Sequence, residues 1–275
     1  MVAASARAGG RSQSRRRALT DGLTLAGIVA AVFVWQAVVF GIPNSGDAWS
    51  YWMASASDPY AAARQHTLLP YLYSPAFLQF IAPLRALDWT TFRAVWTAIL
   101  IVAIVLQAGP LTLLALAFPP VLIDLEVGNI HTLLALAIVL GFRWPAAWAF
   151  VLLTKVTPGI GLLWFAFRRE WRKLAIALGT TLAIVVVSFA VAPQLWTQWL
   201  VVADHPSVAY GALPVALPYR LAIAGCLTYV AARTDRRYLV LVASTVALPD
   251  LWVNGAAMLV GLAQLLPLPD RRTNR

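Results

Sequence analysis

Cysteine is nearly absent from this sequence: Cys226 is the one thiol in 275 residues. A lone cysteine inside an apolar run excludes a disulfide framework and a cysteine-built metal site, and it says nothing of redox compartment. Histidine is scarce as well. His66, His131 and His205 are too scattered for a metal triad, and neither HExxH nor CxxC occurs, so the reading carries no metal. No Walker loop and no GxSxG elbow is present, which argues against soluble nucleotide-driven chemistry and against ester hydrolysis. Charged residues make up 12% of the chain. No polar stretch is long enough to display a basic patch to nucleic acid, which is excluded as a partner.

Apolar residues fill the space: 61% of the chain is hydrophobic and 12 residues are Trp. That is more apolar surface than one water-soluble domain hides, so the bilayer is the solvent. Residues 22 to 42 carry no charge, a length that crosses a ~30 Å hydrocarbon layer at ~1.5 Å per residue. Only helices and closed barrels satisfy backbone polar groups in lipid, and no barrel alternation is seen. Runs broken by Pro, Gly and Arg clusters predict helices near 20–42, 71–87, 94–108, 110–124, 129–142, 145–167, 172–192, 217–232, 237–249 and 251–267. The expected fold is all-α: a polytopic integral membrane bundle of about ten transmembrane segments. Residues 1–19 read as a disordered basic cytoplasmic tail, 20–267 as the membrane domain and 268–275 as a second cytoplasmic tail. Further spans, and no clear small-residue cleavage site, favour a retained anchor over a cleaved signal peptide.

Threading the Arg-rich tail on the cytoplasmic side and alternating places most basic residues on that side. Arg85 and Arg93, the RREWRK cluster, Arg233, Arg236 and Arg237 and the final DRRTNR all fall there. Anionic membrane lipids therefore suffice to explain the net charge of +10. The other side receives Asp47, Asp58, Asp204 and Asp250, and function is expected on that outer face of the plasma membrane. Parity sends the turn in LIDLEVGNIH, with Asp124 and Glu126, toward the cytoplasm; its short flanking segments equally allow a buried cleft.

Four stretches offer chemistry. In GDAWSYW, Asp47 sits beside an interfacial belt of Trp49, Tyr51 and Trp52; it reads either as a base for a sugar or lipid hydroxyl or as a helix cap. Asp58 precedes Pro59, which favours a cap for a helix starting at that proline. Tyr71 and Tyr73 either form an aromatic belt or stack on sugar. Lys155, in TKVTP, is costly in mid-membrane and needs a partner, with Asp124 or a lipid phosphate as the alternatives. Pro158 is expected to break the helix beside it.

Taken in order, GDAWSYW, DPY, YLYSPAFLQFIAPL, DLEVGNIHTLL, LLTKVTPGIGLLWFAFRREWRK and ALPDLWVN resemble glycosyltransferase family 87, the polyprenol-phosphate-mannose-dependent mannosyltransferases of GT-C fold. The resemblance implies an inverting transferase that needs no cofactor. It would take a hexose, typically mannose, from a polyprenyl-phosphate donor and place it on a lipid or glycan acceptor. Asp47 would be the catalytic base and Lys155 would hold the carrier phosphate. Tyr51, Asp58, Tyr73, Asn129 and Asn254 would bind substrate. The chain is shorter than the family's usual length. Asn254 stands where His is frequent and Asn129 where Gln is common, so a degenerate relative or an altered acceptor remains open. The rival class is a non-catalytic scaffold or transporter component with a structural Lys155–Asp124 pair, against which the lack of an internal repeat counts.

Overall fold

A computed structural model describes residues 46–65, 70–203 and 215–266. The expected span at 20–42, both tails, His66, Asp204 and His205 lie outside them. Among the described residues no strand occurs. The helices are α1 (Gly46–Met53), α2 (Ala61–Arg64), α3 (Pro75–Arg85), α4 (Trp89–Leu116), α5 (Pro119–Val127), α6 (His131–Gly141), α7 (Pro145–Thr154), α8 (Thr157–Phe167), α9 (Trp171–Val191), α10 (Pro193–Ala203), α11 (Leu217–Thr234), α12 (Arg237–Val246) and α13 (Val253–Leu265).

Two of them, α4 and α9, are long and apolar enough to cross a membrane, and the bent pair α5–α6 makes a third if taken as one span. Helix α9 buries only 11% of its most apolar window, and Leu182, Val187 and Val191 stand open on its surface. An apolar face that large is suited to lipid.

Several expected boundaries move, each for a physical reason. The break expected between 108 and 110 forms: the α-helical stretch of α4 ends at Ala108, Gly109 takes φ +52°, and after a 3-10 turn over Gly109–Leu111 the helix resumes over Thr112–Leu116, without a sharp bend along the whole run. Proline removes one amide donor and leaves carbonyls unpaired in the preceding turn. Here the Gln264 side-chain amide, from α13, donates to the carbonyls of Leu106 (3.0 Å) and Gln107 (3.1 Å), and Thr112 Oγ1 donates to Gly109 O at 2.6 Å. The 110–124 segment breaks a second time before Pro119, which opens α5. The 145–167 segment ends its first helix at Thr154. Pro158 would clash with that carbonyl four residues back, so the sequence expectation of a break holds and Lys155 takes an extended conformation (φ −132°). Helix α10 occupies residues expected to be a loop. Asp58 does not cap a helix at Pro59: α2 begins at Ala61 with Tyr60 as its cap, and Asp58 pairs with Arg64 at 2.5 Å across an exposed turn.

The sequence threading also needs correction around 71–87. Arg85 donates to the carbonyl of Ala54, Trp52 Nε1 donates to Leu87 O at 2.9 Å, and Trp49 and Trp89 pack edge to face. The 85–89 turn thus folds back beside α1 instead of lying across the membrane from it. At 11 residues, α3 is too short to span.

Two ends of the bundle differ in chemistry. Helix α6 runs from His131 toward Arg143, and α8 runs from beside Lys155 to Arg168; α12 returns from Arg237 to the 247–250 elbow before Asn254. Arg168 ties the far end together, donating from Nη1 to Asp235 Oδ1 (2.9 Å) and to Ala232 O (3.3 Å), while Arg237 lies 5.5 Å from the Phe142 ring. The exposed arginines of the 142–144, 168–173 and 233–237 loops therefore collect at one end. Asp124, His131, Lys155 and Asn254 collect at the other.

Candidate active site

The site begins with one close approach between backbones. Gly128, at the elbow between α5 and α6, has φ +71°, and a Cβ built there would lie 2.5 Å from the Cβ of Ala48. Only glycine meets both conditions without strain. Trp96 Nε1 donates to Gly128 O at 2.8 Å and holds the elbow in place. The two helices α5 and α6 are bent by 111° across it. Because Ala48 follows Asp47 and Gly128 precedes Asn129, the same approach brings those two side chains together. Asn129 Nδ2 donates to Asp47 Oδ2 at 2.7 Å. The Ile130 amide donates to Asn129 Oδ1 at 2.7 Å, which fixes the amide orientation and leaves Nδ2 for Asp47. The elbow thus lies against α1, and not on the side away from Asp47 where parity sends it.

Asp47 lies in the first turn of the short helix α1, outside the candidate spans. Burial pushes its carboxyl above the ordinary carboxylate range, opposed by the Asn129 hydrogen bond and by the positive charge of Lys155. With Oδ2 occupied by Asn129, Oδ1 is the oxygen left to take a proton.

Lys155 is placed by the Pro158 break. Its Nζ lies 2.8 Å from His131 Nε2 and 5.9 Å from the centre of the Tyr73 ring. His131 Nδ1 lies 2.8 Å from Asp124 Oδ1, and the Thr132 amide donates to Asp124 Oδ2 at 3.3 Å. The Asn254 side chain hydrogen bonds the same carboxylate. Asp124, His131 and Thr132 are fully or almost fully buried. A direct Lys155–Asp124 ion pair, one of the two partners the sequence allows, does not form, because the imidazole stands between them. The charges of Asp47, Asp124 and Asp250 all act on Lys155.

The wall beside this cluster is aromatic. Tyr51 and Tyr73 share a hydrogen bond between hydroxyls at 3.0 Å, and Tyr60 donates to Tyr73 O at 2.8 Å. Tyr51 packs edge to face on Tyr73, Phe77 and Trp96. On the other side, buried Arg220 donates to the carbonyls of Val215, Val246, Leu248 and Pro249, fixing the elbow that leads into Asn254.

Of the residues singled out from sequence, Asp47, Tyr51, Tyr73, Asn129, Lys155 and Asn254 converge here, and Asp58 is held at the surface by Arg64. His131 was missed as a site residue. The signal for it was its place seven residues after Asp124 with an elbow glycine between.

The buried Asp47 carboxylate is thus held by the Asn129 amide, and its charge and that of Lys155, from the gap after α7, act on each other. The model of glycosyltransferase family 87 matches residues 71–260, and the chain belongs to that family. It is accordingly a glycosyltransferase with apolar, membrane-suited helices. Asn129, Lys155 and Asn254 lie inside the matched stretch; Asp47 precedes it and joins the site through Gly128. Comparison with curated proteins and with solved structures returned no significant match.

Proposed function

We propose that this glycosyltransferase moves a hexose, mannose foremost, from a polyprenyl-phosphate carrier to a hydroxyl of a lipid-linked or glycan acceptor at the outer face of the plasma membrane. The acceptor oxygen attacks the anomeric carbon while its proton passes to Asp47 Oδ1. The bond from that carbon to the phosphate oxygen breaks, its electron pair leaves with the phosphate, and the single displacement inverts the anomeric centre. Lys155 stabilises the charge that grows on the departing phosphate. Tyr51, Tyr73, Asn254 and Asp58 are proposed to line the path of sugar and acceptor, the first three within the cluster and Asp58 at its rim. No metal or cofactor is assigned a role. The arrangement belongs to a GT-C type membrane domain, residues 20–267, with further spans beyond the two or three long helices and with both tails, 1–19 and 268–275, in the cytoplasm.

The observation that carries this reading is that Asp47 and Lys155, from segments more than a hundred residues apart, lie near enough for their charges to act on each other, at the end of the bundle away from the arginines of the 142–144, 168–173 and 233–237 loops. Replacing Asp47 by Asn keeps the shape and the Asn129 contact but removes the proton acceptor. Sugar transfer from polyprenyl-phosphate hexose should fall by about 10² to 10⁴-fold with the protein still folded. Transfer at the wild-type rate would remove Asp47 as the base.

A further inference from the structure

Lys155 is not aimed by its own helix. It occupies the gap between α7 and α8, in extended backbone, on a side chain with four rotatable bonds. What fixes its ammonium is the imidazole of His131, and what fixes the imidazole is Asp124. Resting on the reading of Lys155 as the group that holds the carrier phosphate, we propose that Asp124 and His131 are a positioning dyad: they lock the histidine in the tautomer that accepts from Lys155 and hold the ammonium where the phosphate of a polyprenyl-phosphate substrate binds.

The chemistry of the chain of contacts has one self-consistent assignment for an anion-binding site. Asp124 receives donors on both oxygens, the Thr132 amide on Oδ2 and His131 Nδ1–H on Oδ1, with the Asn254 side chain bonded to the same carboxylate. With its hydrogen on Nδ1, the neutral imidazole presents a lone pair at Nε2, which accepts from the Lys155 ammonium at 2.8 Å. One of three ammonium hydrogens is used in this contact, and the others remain for the ligand. A negative charge buried behind a histidine also offsets the positive charge of Lys155 without occupying it, unlike a direct ion pair. The ammonium also lies over the face of the Tyr73 ring, 5.9 Å from its centre.

Asn at position 124 is isosteric but cannot play the part. It carries one acceptor oxygen and one NH2 where the Thr132 amide and His131 Nδ1–H, on different oxygens, must both be met; Asn254, able to turn its own amide, can adapt to either end but the other two cannot. Either the amide turns an NH2 toward Thr132, or it turns one toward His131 and flips the tautomer, setting Nε2–H against the ammonium.

The test is binding of undecaprenyl monophosphate to the full detergent-solubilised chain, titrated by native mass spectrometry, for wild type, Lys155→Met, His131→Leu, His131→Gln, Asp124→Asn and the Lys155→Met/His131→Leu double variant. Gln places a polar atom near the position of Nε2 and Leu does not. Loss of a hydrogen bond to a charged group predicts about tenfold or greater weakening for His131→Leu and Asp124→Asn, with His131→Gln recovering most of it. Because His131 acts through Lys155, the double variant should bind no more weakly than Lys155→Met alone. Wild-type affinity in His131→Leu or Asp124→Asn overturns the dyad, and so does additive loss in the double variant. If His131→Leu does not fold, Asp124→Asn and His131→Gln decide. If Lys155→Met binds as wild type does, the assignment of the phosphate to Lys155 fails first, and the dyad fails with it.

Discussion

Asn129 supplies the contact that opposes burial at Asp47. Its Nδ2 hydrogen bond favours the charged carboxylate, whereas burial favours the neutral acid. Asn129→Ala removes the favourable part, so the carboxyl rises further above its usual range. Under the proposed mechanism the base must be ionised, and activity is lost as pH falls through its titration. The acid limb of the kcat/KM profile should therefore move to higher pH in Asn129→Ala, measured with the same donor and acceptor; an unmoved limb would detach Asn129 from the base. At this scale the sequence is informative where a charged residue interrupts an apolar run, as Asp47 and Lys155 do, whereas Asn129 and Asn254 stand out only through the resemblance to the family. His131 does not stand out, because a single histidine in a helix start carries no periodic signal, and its role depends on Asp124 lying across a bend. Asp58 misled for a related reason: Asp–Pro reads locally as a cap, but Arg64, six residues on, captures the carboxylate.

Among the elements, the α5–α6 elbow does the assembling. Gly128→Ala must accept both a left-handed φ and a Cβ 2.5 Å from that of Ala48. The backbone term and the overlap together should cost about 2 to 4 kcal/mol, read as a lowered thermal midpoint in detergent, and transfer should fall with it because Asn129 is carried away from Asp47. An unchanged midpoint and unchanged activity would contradict the packing. Proline effects are legible at Pro158 and at Pro110 alike, each of which sits at an interruption of the helix. What the chain near residue 110 does not announce is tertiary: Gln264 satisfies the carbonyls of Leu106 and Gln107 beside the break, and Trp89–Leu116 stays one candidate span. Segment 71–87 looked like a span by composition. Its turn is instead fastened to α1 by Arg85 and the Trp49–Trp52–Trp89 group, contacts between segments that periodicity cannot see.

For the whole molecule, the arginines of the 142–144, 168–173 and 233–237 loops collect at the end away from Asp124, His131 and Lys155, as expected from the charge threading, while Arg85, threaded with them, lies beside α1 instead. In a Cys226→Ser background, a cysteine introduced at residue 49 and one introduced at residue 236 are expected to react with a membrane-impermeant thiol reagent from opposite sides of sealed vesicles. Both positions are exposed, so labelling of both from one side would contradict the proposed orientation.

The central claim is that Asp47 and Lys155 serve one lipid-borne sugar phosphate. A cryo-electron microscopy map of the full chain with a non-hydrolysable polyprenyl-phosphate hexose analogue tests it most directly. The account predicts a phosphate oxygen within about 3 Å of Lys155 Nζ and the sugar carbon attached to it on the side of Asp47 Oδ1. Density for the phosphate at the arginine-rich end, or for the sugar out of reach of Asp47, would contradict it.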